Sequence, residues 1–269
     1  MRTVMSKDGT HIAFDQSGQG PALVLVTGAS ATRADAASVA AALAPHFTVF
    51  AYDRRGRGDS GDTNPYAVER EVEDIEAVID EAGGSAFVFG HSSGAALALD
   101  AALLFPSSIT KLALYEPPFF VDDTHAPAPE DFAARLDALV ASGRRGDAVE
   151  LWMAFIGAPP EMVAQMRQSP MWPNMEALAH TLAYDATIMH DTETGSPAPL
   201  AKWASVAIPT LVMDGTMSLG REEAHTFMRH AADALASVLP NARRRTLDGQ
   251  DHGPADAVLV PALEAFFLG

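Results

Sequence analysis

Short, wholly apolar runs alternate along this chain with longer stretches in which apolar residues recur at helical spacing. Residues 4–6 and 10–14, separated by Asp8-Gly9, read as a β-hairpin. Residues 22–26 (ALVLV), 47–52 (FTVFAY), 87–89 (FVF), 111–115 (KLALY) and 208–213 (IPTLVM) read as buried strands. A last strand is expected at about 243–247. Between them lie helical patterns at about 33–43, 66–82, 94–105, 221–236 and 254–267. In the second of these, Val68, Val72, Ile75, Val78 and Ile79 share one face and acids occupy the other. Strands alternating with helices predict an α/β fold whose mainly parallel sheet is covered on both faces. The rhythm breaks between about 121 and 205, where only helical patterns and Pro/Gly breaks occur. The expected organisation is therefore a core of residues 1–120 and 206–269, with 121–205 inserted as a helical cap. That insertion carries Trp152, Met153, Met166, Trp172 and Met175, soft and bulky side chains suited to lining an adaptable pocket.

Composition narrows the function classes. The chain has 269 residues, 48% of them hydrophobic, enough for one large core. Its formal charge of −17 disfavours nucleic acid and anionic membrane surfaces as partners. With no cysteine there is no disulfide, thiolate metal site or cysteine nucleophile. Neither a secretory h-region nor a run long enough to span a membrane is seen, so a soluble cytoplasmic protein is expected. No His/Asp/Glu spacing suggests a metal, and Gly28 lies in no dinucleotide-binding context, so no cofactor is expected.

The chemistry-bearing feature is Gly90-His91-Ser92-Ser93-Gly94, set between an apolar strand and an Ala/Leu-rich helix. A strand that turns directly into a helix needs a strained apex, and glycine two places either side avoids collisions. The apex serine then stands beside the first N–H groups of the helix, which suit an anion formed when serine attacks a carbonyl. A serine hydroxyl needs a neutral imidazole to take its proton, and that imidazole needs a carboxylate to orient it.

Four stretches in this order resemble the α/β-hydrolase superfamily over essentially the whole chain: 23–28 (LVLVTG), 52–60 (YDRRGRGDS), the 90–94 turn, and Asp251-His252-Gly253. The resemblance implies a mostly parallel eight-stranded sheet flanked by helices and a nucleophile–acid–histidine triad. It makes Ser92 the nucleophile and His252 the general base. The oxyanion donors it implies are the Ser93 and Ala29 amides, with Gly28 keeping the backbone accessible.

The acid departs from the usual pattern. Most relatives carry it in a Gly-x-x-Asp sequence after the strand at 209–213, where Gly215-Thr216-Met217-Ser218 places a serine here. Two candidates remain: Asp214, at the end of that strand, and Glu116, at the end of the preceding one. Some members, including the fungal zearalenone lactonases, carry the acid one strand early, and 90–117 resembles theirs; Glu116 is favoured and Asp214 stays as the alternative. Arg54, Arg55 and Arg57 look like a phosphate cradle but are expected to be structural and tied to acids. His91 is expected to be only a neighbour of the nucleophile, and Arg243-Arg244-Arg245 strand-edge charge. Phe119, Met153, Trp172, His180 and Tyr184 are candidate substrate contacts.

The expected function is a cofactor-free serine hydrolase, working as a monomer or homodimer on a small hydrophobic ester or lactone through an acyl-enzyme. The competing readings are C–C cleavage or perhydrolysis on the same triad, and a receptor-like, ligand-binding member. Epoxide hydrolase and haloalkane dehalogenase chemistry are disfavoured, because both need a carboxylate where Ser92 stands.

Overall fold

Each buried strand of this chain sends alternate side chains to opposite faces, so a continuous apolar run serves two layers of helices at once. The computed structural model describes the backbone of residues 1–217 and 222–269, and the side chains of 1–217 and 226–269. In chain order the sheet is built from β1 (Arg2–Met5), β2 (His11–Gly18), β3 (Ala22–Val26), β4 (Thr48–Tyr52), β5 (Ala86–His91), β6 (Ile109–Tyr115), β7 (Thr210–Gly215) and β8 (Ala242–Leu247). Their spatial order is β1-β2-β4-β3-β5-β6-β7-β8. Only β1 and β2 run antiparallel to their neighbours; from β4 to β8 every pairing is parallel. This is the expected fold class.

The two faces divide the strands residue by residue. Val24, Val26, Val88, Leu112, Leu114 and Val212 pack with α2 (Val68–Glu81), α3 (Ser93–Leu104) and α9 (Glu222–Val238). Leu23, Leu25, Phe89, Ala113, Leu211 and Met213 pack with α1 (Ala37–Leu43) and α10 (Asp256–Leu268). Helix α3 is apolar all round, with residues 93–99 buried, as befits a helix enclosed on every side. Among the described residues no helix is long and apolar enough to cross a membrane.

The start of one helix differs from expectation. Helix α1 starts at Ala37 rather than near Arg33. Thr32 and Asp35 close a tight turn through the Thr32 amide and Asp35 Oδ2 (2.8 Å). The next amides then bond three residues back, giving a tighter winding before the α-helix proper. The expected start of the helix near Arg221, and Ser218 with it, lie outside the described residues.

Between β6 and β7 the chain runs through α4 (Phe132–Ala141), α5 (Arg145–Phe155), α6 (Pro160–Arg167), α7 (Trp172–Leu178) and α8 (Leu182–Met189). These helices share a cluster of their own that includes Leu136, Val149, Trp152, Met153, Trp172 and Leu182. The two ends of the segment meet where the Phe120 amide donates to Thr192 O (2.9 Å) and the Gly195 amide to Phe120 O (2.9 Å).

Candidate active site

The carboxyl ends of β5 and β6 carry two of the three non-glycine residues with positive φ among the described residues: Ser92 at +56° and Glu116 at +46°. L-residues hold such a backbone at a cost of about 1–3 kcal/mol unless surrounding contacts impose it. Both are fixed by their neighbours' carbonyls, the Ser92 amide donating to Tyr115 O (3.0 Å) and the Glu116 amide to Met213 O (2.9 Å). The glycines around Ser92 are there for lack of room. A Cβ on Gly94 would lie 2.4 Å from Val26 O, and one on Gly90 2.8 Å from Ala95 Cα. Gly28, in the loop after β3, sits directly against the serine, since a Cβ there would approach Ser92 Cβ to 2.8 Å.

His252 lies in the loop between β8 and α10, and its Nδ1 is 2.7 Å from Glu116 Oε2. The other carboxylate oxygen, Oε1, accepts from the Gly215 amide (2.9 Å), so both oxygens of this buried glutamate are engaged. The histidine's own backbone is held twice. Tyr115 donates its hydroxyl to Asp251 O, and His91 Nε2 is 2.8 Å from His252 O. Burial, aided by His252, pushes the His91 imidazole down to about 3, so it is neutral at ordinary pH. A carbonyl can only accept, so the His91 proton sits on Nε2. Gly215 leaves no space for a side chain, because a Cβ would fall 2.1 Å from Gln250 O, in the same loop.

Asp214, the alternative acid, is engaged elsewhere. It is fully buried, and its Oδ1 accepts from Thr246 Oγ1 (2.8 Å) and Arg244 Nη2 (3.1 Å) on β8. Arg244, partly exposed on this edge strand, thus pairs with the buried Asp214 and with Asp233, and Asp214 makes no hydrogen bond to His252.

Behind Ser92 lies a buried network of charges. Arg54 holds Glu71 of α2 through Nε–Oε2 (2.7 Å) and Nη2–Oε1 (2.9 Å), and Arg55 holds Asp74 in the same two-pronged way. Arg57 donates through Nη1 to Gly28 O (2.6 Å) and through Nη2 to Asp185 Oδ2 (2.6 Å). Asp185, from α8, also accepts at Oδ1 from Ser93 Oγ (2.6 Å) and Arg54 Nη1 (2.9 Å). Burial alone would push the Asp185 carboxyl up; Arg57 and Arg54 reverse this and hold it below the usual carboxylate range. The arginine loop is thus tied to acids, as expected, and is no phosphate cradle.

The five candidate substrate contacts occupy varied surroundings. Met153 and Trp172 are buried in the cluster of the helices between β6 and β7, against which Ala29 also packs. Tyr184 stacks on Tyr66 with ring centres 3.9 Å apart and donates to Asp62 Oδ2 (2.9 Å). His180 Nδ1 is 2.9 Å from Arg145 Nη2. Phe119 is fully buried against Trp203 in the core beneath the sheet, with ring centres 5.2 Å apart.

The roles of Asp185, Tyr115 and Gly215 are not legible in the sequence. Asp185 did leave a trace: it is the one charge in the apolar run 182–189 (LAYDATIM), in a chain whose 52–60 loop concentrates cations. Tyr115 and Gly215 serve by single contacts that no periodicity reports.

Comparison with known proteins bears on the fold and the family. The chain matches the Alpha/beta hydrolase family over residues 23–261. Its fold is similar to that of an alpha/beta hydrolase from Sphaerobacter thermophilus DSM 20745, at 56% identity and a TM-score of 0.88, covering 99% of this chain and 100% of that one. A hydrolase from Pseudomonas aeruginosa PA01 is 25% identical with a TM-score of 0.71, over 99% and 96% of the two chains. A Bacillus subtilis (strain 168) protein named as the uncharacterized hydrolase YraK is 34% identical over 113 residues, 40% of this chain and 42% of that relative's length. With a serine at a strained strand–helix apex and matches spanning nearly its whole length, this chain belongs to the alpha/beta hydrolase family.

Proposed function

We propose that this hydrolase cleaves hydrophobic carboxylic esters or lactones through an acyl-enzyme on Ser92. The observation that carries the reading is the 2.7 Å contact between His252 Nδ1 and Glu116 Oε2. It presents a histidine with one ring nitrogen committed to a carboxylate and the other, Nε2, left for the nucleophile.

The steps follow from acid–base chemistry. Ser92 Oγ attacks the carbonyl carbon as its proton passes to His252 Nε2. The imidazolium so formed keeps its Nδ1–H on Glu116, whose negative charge stabilises it. The carbonyl oxygen becomes an oxyanion and takes the Ser93 and Ala29 amides, each such donor contributing about 3 kcal/mol to the transition state. Collapse breaks the C–O bond to the leaving alcohol, which receives the proton from Nε2. Water then repeats the sequence, its proton going to His252, and the acid is released from Ser92. In a lactone the leaving hydroxyl is part of the acyl group itself, so the second half releases a single hydroxy acid.

Hydrophobic selectivity is assigned to a cap formed by residues 121–205, whose apolar cluster reaches Ala29 beside the serine. A receptor-like role drew its motive from Ser218 at the usual acid position; Glu116 beside His252 supplies the charge that role would lack. Fluorophosphonate treatment of the folded protein is expected to label Ser92 and to leave Ser92→Ala unmodified. Nitrophenyl esters of increasing acyl length are expected to show a rising kcat/KM. Folded wild-type protein that takes no label would sink the reading, and turnover of β-diketones in preference to esters would replace it with C–C cleavage.

A further inference from the structure

The two amides assigned to the oxyanion share a feature on their far side: each is anchored by the same buried carboxylate. Asp185 Oδ1 accepts from Ser93 Oγ at 2.6 Å, fixing the residue that supplies one amide. Asp185 Oδ2 accepts from Arg57 Nη2 at 2.6 Å, and Arg57 Nη1 donates to Gly28 O, also at 2.6 Å. Gly28 O and the Ala29 N–H belong to one trans peptide group, in which carbonyl and N–H point in opposite directions. A guanidinium holding the carbonyl therefore dictates where the Ala29 N–H points, and its charge polarises that N–H as a donor. Arg54 Nη1 lies within 3.3 Å of both Thr27 O and Ser93 Oγ and 2.9 Å from Asp185 Oδ1, with Arg54 itself clamped by Glu71. Arg54, Arg57, Glu71 and Asp185 are all buried, two cations against two anions. A network of this kind resists rotation, because turning the Gly28–Ala29 peptide would strand a buried charge.

We propose that Asp185 and Arg57 are positioning residues that set the oxyanion hole from behind. They would thereby make α8, a helix of the segment between β6 and β7, part of the catalytic machinery. The inference rests on the serine-hydrolase reading above. A hole built this way is complete before substrate arrives, and its benefit falls on the transition state rather than on substrate binding.

The test compares Arg57→Met, Arg57→Lys, Asp185→Asn and Ser93→Ala with wild type for kcat and KM on one nitrophenyl ester. Thermal midpoints and fluorophosphonate labelling rates are measured in parallel. Arg57→Met and Asp185→Asn are expected to lower kcat by about 30- to 100-fold, short of the full loss of a donor, with KM within about threefold. Arg57→Lys retains a charge for Gly28 O but not the fork that also reaches Asp185, so it is expected to recover part of the loss. Ser93→Ala removes the hydroxyl's contacts with Asp185 and Arg54 without unbalancing the charges; it is expected to fold normally and to lose about 5- to 10-fold in kcat, which keeps the proposal exposed should the charge variants not fold. Folded variants with wild-type kcat overturn the proposal, as do losses that track the thermal midpoint and fall equally on kcat and KM. Wild-type protein that neither labels nor turns over ester would instead overturn the serine-hydrolase reading itself.

Discussion

The ends of β6 and β7 present two buried carboxylates on adjacent parallel strands, and their surroundings give them opposite tasks. Glu116 follows its strand with a positive φ, accepts the Gly215 amide at one oxygen and meets His252 at the other. Asp214 stays within its strand and spends Oδ1 on Thr246 and Arg244 of β8. Both are about equally sequestered. What separates them is the partner: a histidine, which can gain and lose a proton near neutral pH, or an arginine, which stays charged. A third buried carboxylate, Glu193, has burial and no counter-charge among the described residues, and its pKa is pushed up to about 8. A carboxylate's role here is decided by what faces it, more than by its place in a family pattern.

The largest expected effects are on the group both carboxylates would have to serve. Ser92→Ala and His252→Ala are each expected to lower kcat by at least about 10⁴-fold with little change in thermal midpoint, checked by ester kinetics and calorimetry. A smaller loss would mean that neither strand end supports a triad. Next is Gly215→Ala, which forces a methyl against Gln250 O and the Tyr115 hydroxyl. It is expected to displace the Glu116–His252 contact, with kcat falling at least about tenfold and the midpoint dropping by several degrees.

Asp214→Asn sharpens the contrast from the other side. It uncouples a fully buried carboxylate from Arg244 and is expected to cost about 1–3 kcal/mol of stability in denaturant unfolding, while kcat stays within about threefold.

Glu193→Gln is expected to have the smallest effect on kcat and a distinctive pH dependence of stability. A carboxyl whose folded value is raised binds a proton in the folded state that the unfolded chain has released. Wild-type stability therefore falls as pH rises from about 4 toward 8, and the glutamine variant lacks that loss. The difference between the two proteins should widen by about 1.4 kcal/mol per pH unit across that window at most, read from chemical unfolding at several pH values.

Much of this was legible in the chain. The apolar runs at 22–26, 47–52 and 111–115 announced buried parallel strands because both of their faces are covered. Gly90 and Gly94 announced the elbow because no side chain fits there. Glu116 could be proposed but not separated from Asp214, since both end a strand and only the fold shows which faces the 252 loop. Asp185 stands out only as a lone charge in an apolar run, and its role is illegible for a related reason: its meaning comes from Arg57 and Gly28, more than a hundred residues away. Pattern reading reports what an element does to its own face; it does not report which distant loop a single side chain will meet.

The central claim is that Glu116, and not Asp214, orients His252. It is tested most directly by the ratio of kcat for Glu116→Gln and Asp214→Asn, measured side by side on the same ester with the folding of each verified. Replacing the triad carboxylate by its amide costs about 10³- to 10⁴-fold in serine hydrolysis. The account predicts that loss for Glu116→Gln alone, so that Asp214→Asn is faster by at least about 10²-fold. Equal losses, or a loss confined to Asp214→Asn, would contradict it.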